Sequence, residues 1–248
     1  LPKLKGIYYI RKRQFKHADH IITSTNYDKY LISWEFYSGN ILEGLYEFSR
    51  KYPDARIILV LRRQDKFIAS HYKRNLKKGH STSLAEYFDL DHDRGYRKVD
   101  DLYFYPKIKA IESYFNHKPL VLFHHELISA PESFVQKILA YTGVNDTDPI
   151  SYDPLHTSYS DKELQFRRWV ARHTALQEVQ VNGHNSYSRR MRRLYNKTLR
   201  YSLIYVSKLI PASWITEDPI LSEAYLERVR EQYKDDWEQC LQYAQKNE

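Results

Sequence analysis

The sequence predicts an α/β protein in which a parallel sheet is crossed by helices and followed by a helical C-terminal part. Three observations carry this. Short apolar runs stand at Tyr30–Ser33, Arg56–Leu61 and Pro119–Phe123, each the length of a strand. The segments between them have helical spacing, and strands alternating with helices of about ten to fifteen residues build parallel sheets through crossovers. Beyond Asp148 no strand pattern recurs. The expected organisation is one domain over residues 1–248, with an α/β core in 1–150 and a helical extension in 151–248. A chain of 248 residues can bury a proper core, and 42% hydrophobic residues excludes a disordered polymer.

Taken in order, Tyr30-Leu-Ile-Ser33 reads as a buried strand after the polar stretch Ser24–Lys29. After Ser38-Gly39, the leucine and aromatic spacing of Ile41–Lys51 suits a helix that stops near Pro53. Arg56–Leu61 is continuous and β-branched, as expected of an interior parallel strand. A helix over Gln64–Lys78 comes next, with Gly79 as its C-cap. Ser83–Phe88 suggests a short helix, Asp89–Lys98 a polar loop and Asp101–Asn116 another helix before the strand at Pro119–Phe123. Pro131–Tyr141 is an amphipathic helix with proline in its first turn and Gly143 past its end. Ser160–His173, Ser188–Ile210 and Ser222–Gln245 read as helices, the last two separated by the region of Pro211 and Pro219.

The net charge of +8 calls for an anionic partner, whether nucleotide, acidic glycan, membrane surface or nucleic acid. The 23 tyrosines suit carbohydrate-binding surfaces, but equally suit a boundary role in which the ring is buried and the hydroxyl is wet. No apolar run approaches the ~18 residues of a membrane span. One cysteine, Cys240, excludes an internal disulfide and fits a reducing compartment. No grouping of His, Cys or carboxylates has metal-ligand spacing.

Chemistry concentrates where two strands end. Ligands of open parallel sheets bind beyond the carboxyl ends of the strands. There, Tyr30–Ser33 runs into Trp34-Glu35, and Arg56–Leu61 runs into Arg62-Arg63. If the strands are parallel, Glu35 and the arginine pair share one rim, and the helix after Arg63 points its first amides at it. That is an anion site beside a carboxylate.

The segment Leu59-Val-Leu-Arg62-Arg-Gln-Asp-Lys-Phe-Ile-Ala-Ser70-His-Tyr72 resembles the 3′-phosphate-binding segment of sulfotransferases that use 3′-phosphoadenosine 5′-phosphosulfate (PAPS). In that segment a strand ends in Arg, and Ser stands eight residues later on a helix. Leu31-Ile-Ser-Trp-Glu35-Phe-Tyr-Ser-Gly39 looks like the carbohydrate sulfotransferase segment that delivers a catalytic glutamate. Phe123-His-His-Glu-Leu-Ile-Ser-Ala-Pro131-Glu, running on to Tyr141-Thr-Gly143-Val, is similar to the family's later strand, turn and helix. Leu155-His-Thr-Ser-Tyr-Ser-Asp-Lys-Glu-Leu164 resembles a Ser-rich turn and helix of bacterial members.

The resemblance implies a P-loop-NTPase-like parallel sheet flanked by helices. It implies a sulfuryl transfer from PAPS to a hydroxyl, on a saccharide or glycan, leaving adenosine 3′,5′-bisphosphate (PAP) and needing no metal. Arg62 would fork onto the 3′-phosphate and Ser70 would donate a hydrogen bond to it. Arg63 stands where the family often has Asn, which leaves open which arginine does more. Glu35 would be the general base, or alternatively the ion-pair partner of a rim arginine. His71, His124 and His125 are further candidate bases. Lys73, Arg74 and Lys77 at the end of the helix, with Arg94, Arg97 and Lys98 beyond, are candidates for an anionic glycan, or simply complement the helix dipole. Arg167-Arg168 and Arg189–Arg193 read as solvated faces.

The family's phosphosulfate loop, Lys-[Ser/Thr]-Gly-[Thr/Ser]-[Thr/Ser], has no counterpart in the sequence. Lys3-Leu-Lys-Gly6-Ile-Tyr-Tyr9 resembles the stretch just after the family's first helix, so that loop and its strand are expected upstream of Leu1. The likeness to bacterial members and the single cysteine imply a bacterial cytoplasmic enzyme. Two other readings stand beside this one. One is a non-catalytic PAP- or glycan-binding relative; the other is a basic nucleic-acid-binding protein, for which no helix-turn-helix, zinc-finger or RNA-recognition signature is present.

Overall fold

A computed structural model describes residues 7–11, 14, 17–33, 41–144, 160–173, 206 and 219–247. In chain order these form β1 (Ile7–Ile10), α1 (Ala18–Ser24), β2 (Lys29–Ile32), α2 (Ile41–Lys51), β3 (Ile58–Leu61), α3 (Gln64–Lys77) and α4 (Leu84–Tyr87). A 3-10 turn stands at Asp100–Leu102. Next come α5 (Tyr105–Tyr114), β4 (Leu120–Phe123), α6 (His124–Ser129), α7 (Pro131–Thr142), α8 (Asp161–His173), α9 (Glu223–Gln232) and α10 (Lys234–Lys246). The protein is mixed α/β and mostly helical. The described strands form two parallel two-stranded sheets, β1 with β2 and β3 with β4. No helix among the described residues is long and apolar enough to cross a membrane.

The chain divides into two compact units. The first comprises Leu1–Arg62, Phe104–Leu155 and Asp236–Glu248; the second comprises Arg63–Tyr103 and His156–Asp235.

Both sheets belong to the first unit. β1 and β2 run in register from Ile7 opposite Lys29 to Ile10 opposite Ile32. Parallel neighbours cannot be joined by a tight turn, and α1 lies between these two in the chain. β3 and β4 run from Ile58 opposite Leu120 to Leu61 opposite Phe123. Leu59, Val121 and Phe123 bury one face of this pair against Ile108 and Ile111 of α5 and Cys240, Tyr243 and Ala244 of α10. The alternation of a strand then turns Val60 away, and it is 50% exposed. A fully covered parallel strand, as the sequence pattern suggested for Arg56–Leu61, would bury it.

The amino end of α5 is capped from far along the chain. Asp236, 6% exposed, accepts from the amides of Phe104 (3.0 Å) and Tyr105 (2.9 Å). With Pro106 in the first turn, this starts the helix at Tyr105. The single helix expected over Asp101–Asn116 is therefore a 3-10 turn and then a shorter helix. α7 begins on Pro131 and ends where Gly143 takes a left-handed φ of 63°. Lys29 of β2 donates to the Thr142 carbonyl at 2.9 Å, so the end of α7 is tied to the first sheet.

In the second unit, α3 buries Ile68, Ala69, Tyr72 and Leu76, and α8 and α9 pack against it. Ser83 and Glu86 close a reciprocal capping box on α4. The Asp89 carboxylate then accepts from the amides of Asp91 (3.1 Å) and His92 (3.0 Å), folding the loop back. Only glycine fits at Gly95, where a Cβ would come within 2.6 Å of the Asp89 nitrogen.

The helix expected over Ser222–Gln245 is broken at Tyr233. That residue is 1% exposed, and its hydroxyl donates to the Val99 carbonyl at 2.8 Å. Its ring meets Tyr103 edge-on at 4.9 Å. Packing of one tyrosine thus outweighs continuous helical spacing. The Ser188–Ile210 helix and the Arg189–Arg193 run lie outside the described residues.

Candidate functional site

In the first unit, the carboxyl edge of β3–β4 holds the most distinctive chemistry. The parallel register puts Leu61 opposite Phe123, so the chains leave the sheet side by side as Arg62 and His124. Both side chains are partly buried. His124 is held below the ordinary imidazole range by burial first, then by the positive charge of Arg62 and by His125. His125 is exposed and its ring stacks on Phe123 at 5.7 Å. Glu126 is already engaged, accepting from the Phe123 amide at 2.8 Å and pairing with Lys137 of α7 at 3.2 Å. A guanidinium beside an imidazole, at the carboxyl end of parallel strands, can receive an oxyanion.

In the second unit, Arg63 is committed elsewhere. Its Nε and Nη2 fork onto the carboxylate of Asp65 at 2.8 and 3.0 Å, and Arg230 of α9 reaches the same carboxylate at 3.2 Å. Asp65 is 0% exposed. Burial pulls its pKa up, but the bonds from Arg63, the Lys66 amide and Arg230 outweigh this and leave it below the usual range. In the first turn of α3, a buried carboxylate also complements the helix dipole. The sequence signal for this pair is the Arg63-Gln-Asp65 spacing, which is too common among surface residues to mark a buried ion pair.

Ser70 lies on α3, partly buried and outside the fully buried face. Lys73 and Lys77 succeed it at helical spacing on that side. Lys73 pairs with Asp161 of α8 at 2.6 Å. Lys77 is pushed down by burial first and then by Arg167 and Lys73, with Glu163 opposing. Arg74 is exposed. Three arginines expected at the surface are buried: Arg97 at 4%, Arg167 at 5% and Arg168 at 3% exposure. Arg97 bonds the Tyr87 hydroxyl and Arg168 the Tyr72 hydroxyl. Tyrosine hydroxyls in the interior give these guanidiniums acceptors that a hydropathy pattern does not show. Arg97 is therefore removed from any glycan-contacting surface.

Glu35 lies outside the described residues. His71 is stacked on Phe67 with ring centroids 4.1 Å apart, which gives it a packing role. Among the described residues no group of three or more His, Cys, Asp or Glu side chains could hold a metal ion. The residue that sequence reasoning leaves unconnected is His124: it is legible as a strand end, but only the β3–β4 register makes it the neighbour of Arg62. Compared with known protein families, curated proteins and solved structures, the chain matches none.

Proposed function

We propose that the protein is a PAPS-dependent sulfotransferase acting on a hydroxyl of a saccharide or glycan, with Arg62 and Ser70 as ligands of the donor's 3′-phosphate. The observation that carries this is Arg62 itself. It stands at the carboxyl end of a parallel strand in a positive local field, while the adjacent Arg63 is held by a buried carboxylate. Of the two arginines in the motif, this favours Arg62 for the nucleotide. Sheet topology adds support. A P-loop-type parallel sheet without one interior strand divides into two parallel pairs, the pattern of β1–β2 and β3–β4.

PAPS, when bound, supplies the sulfuryl group. Arg62 would fork onto the 3′-phosphate oxygens and Ser70 would donate its hydroxyl to the same phosphate. Glu35 would accept the proton of the acceptor hydroxyl. Lys73, Arg74 and Lys77 would meet an anionic acceptor, Lys73 only by exchanging Asp161 for it.

Calorimetric titration with PAP tests the reading. The native chain should bind. Two charge-assisted hydrogen bonds of about 1.5 kcal/mol each correspond to about a hundredfold in affinity, so Arg62→Ala should lose at least that. Ser70→Ala should lose about tenfold, equivalent to one such bond. Circular dichroism would confirm that both variants stay folded. Unchanged PAP affinity in Arg62→Ala, or no PAP binding by the native chain, would overturn the assignment.

A further inference from the structure

We propose that His124 is a second ligand of the anion received by Arg62, and that it binds as the imidazolium, so that anion uptake at the β3–β4 edge carries a proton with it. This rests on the reading of Arg62 as a phosphate ligand.

The placement is geometric. Strand register sets Arg62 and His124 next to one another where β3 and β4 end. A tetrahedral oxyanion received by the guanidinium has further oxygens to satisfy, and a neighbouring imidazolium offers N–H donors for one of them. The charged groups around His124 explain why the proton comes with the anion. From β3 there is Arg62; on its own helix there are His125 and Glu126; from α7 there is Lys137. Glu126 is the carboxylate of this set, and its oxygens are taken by the Phe123 amide and by Lys137. Within the chain itself, His124 therefore feels burial and positive charge, and both favour the neutral ring. A phosphate dianion between His124 and Arg62 cancels the repulsion and adds an attraction, which favours the imidazolium.

The sign is set by linkage. His124 titrates below its ordinary value in the free protein and higher in the complex, so the complex binds more protons. Affinity must then strengthen as pH falls through the window between the two values, by up to about tenfold per pH unit for one proton. Well above the window His124 is neutral in both states and contributes no pH dependence. The phosphate's own second ionisation, near a pKa of about 6, works in the opposite direction. It is common to native protein and variants, so their difference isolates His124.

The test is calorimetry with PAP, at several pH values and in buffers of different ionisation enthalpy, which counts protons taken up on binding. Native protein should take up more protons than His124→Gln within the window, approaching a difference of about one. Its affinity advantage over His124→Gln should grow as pH falls through the window and level off above it. His125→Gln should keep the extra proton uptake, with its window moved to higher pH because one of the groups holding His124 neutral is gone. His124→Asn gives a second variant should the glutamine side chain disturb the strand end. Equal proton uptake and parallel pH profiles in native protein and either folded variant would overturn the proposal. A failure of the underlying reading looks different: PAP binding would be absent, or insensitive to Arg62→Ala, at every pH.

Discussion

Replacing Asp65 by alanine should destabilise the second unit markedly. The carboxylate is 0% exposed and receives three hydrogen bonds from side chains, two from Arg63 and one from Arg230, besides that of the Lys66 amide. Removing one partner of a fully buried ion pair costs about 3–5 kcal/mol, chiefly because the other charge is left buried without compensation. Here the two guanidinium side chains keep 38% and 36% of their exposure, so water can re-solvate part of what is lost. That discount brings the expected loss for Asp65→Ala to about 2–3 kcal/mol. Asp65→Asn retains one oxygen acceptor but no charge and should fall between alanine and native. Urea denaturation monitored by circular dichroism, with α3, α8 and α9 reporting through helical signal, reads both. The pH dependence is fixed in sign: the folded-state pKa of Asp65 is lowered, so its contribution is complete above the unfolded carboxylate value and is lost as pH falls through the folded one. The difference in stability between native and Asp65→Asn should therefore shrink in acid. Native-like stability of Asp65→Ala at neutral pH would refute the view that this carboxylate anchors the start of α3.

Two further perturbations test the frame around the candidate residues. Gly95→Ala drives a Cβ to 2.6 Å from backbone nitrogen and 2.9 Å from the Tyr87 carbonyl, atoms that cannot rotate away. The loop must shift, and thermal melting should show a loss of about 1–3 kcal/mol, the usual range for overpacking; an unchanged melt would contradict the loop geometry. Asp236→Ala removes the acceptor for the amides of Phe104 and of Tyr105, the first residue of α5, a capping loss of about 1–2 kcal/mol. Hydrogen exchange should localise that loss to Phe104 and Tyr105.

Much of the local structure was legible because its causes are local. Pro53 limits α2, Gly79 and Gly143 end α3 and α7 with positive φ, and Pro131 opens α7. These residues fix backbone torsions directly. The features hidden in the sequence are set by partners far along the chain. The break at Tyr233 is made by Val99 and Tyr103, and the start of α5 by Asp236. Arg97 and Arg168 look like solvated charges until Tyr87 and Tyr72 supply hydroxyls beneath the surface. Strand β1, Ile7–Ile10, is not read from the sequence and is defined by its parallel pairing with β2. The candidate site divides the same way. Arg62 and Ser70 are visible from spacing within one segment, whereas His124 beside Arg62 depends on a register between strands far apart in sequence.

The two consecutive arginines show why a basic motif cannot be read by counting charges. Successive residues of an extended chain point in opposite directions, so Arg62 and Arg63 cannot serve one ligand equally. Arg63 has a carboxylate that is itself inaccessible to solvent, and exchanging Asp65 for a nucleotide phosphate would strand a buried charge. Arg63 therefore acts on the fold, and any loss of nucleotide binding on its substitution is to be read through stability first. Arg62 raises the local potential at an edge where the neighbouring carboxylate, Glu126, is already engaged by the Phe123 amide and Lys137. The net charge of +8 calls for an anion without saying where; the buried Asp65 carboxylate holds Arg63 at the start of α3, so a phosphate there would have to displace a carboxylate from the interior.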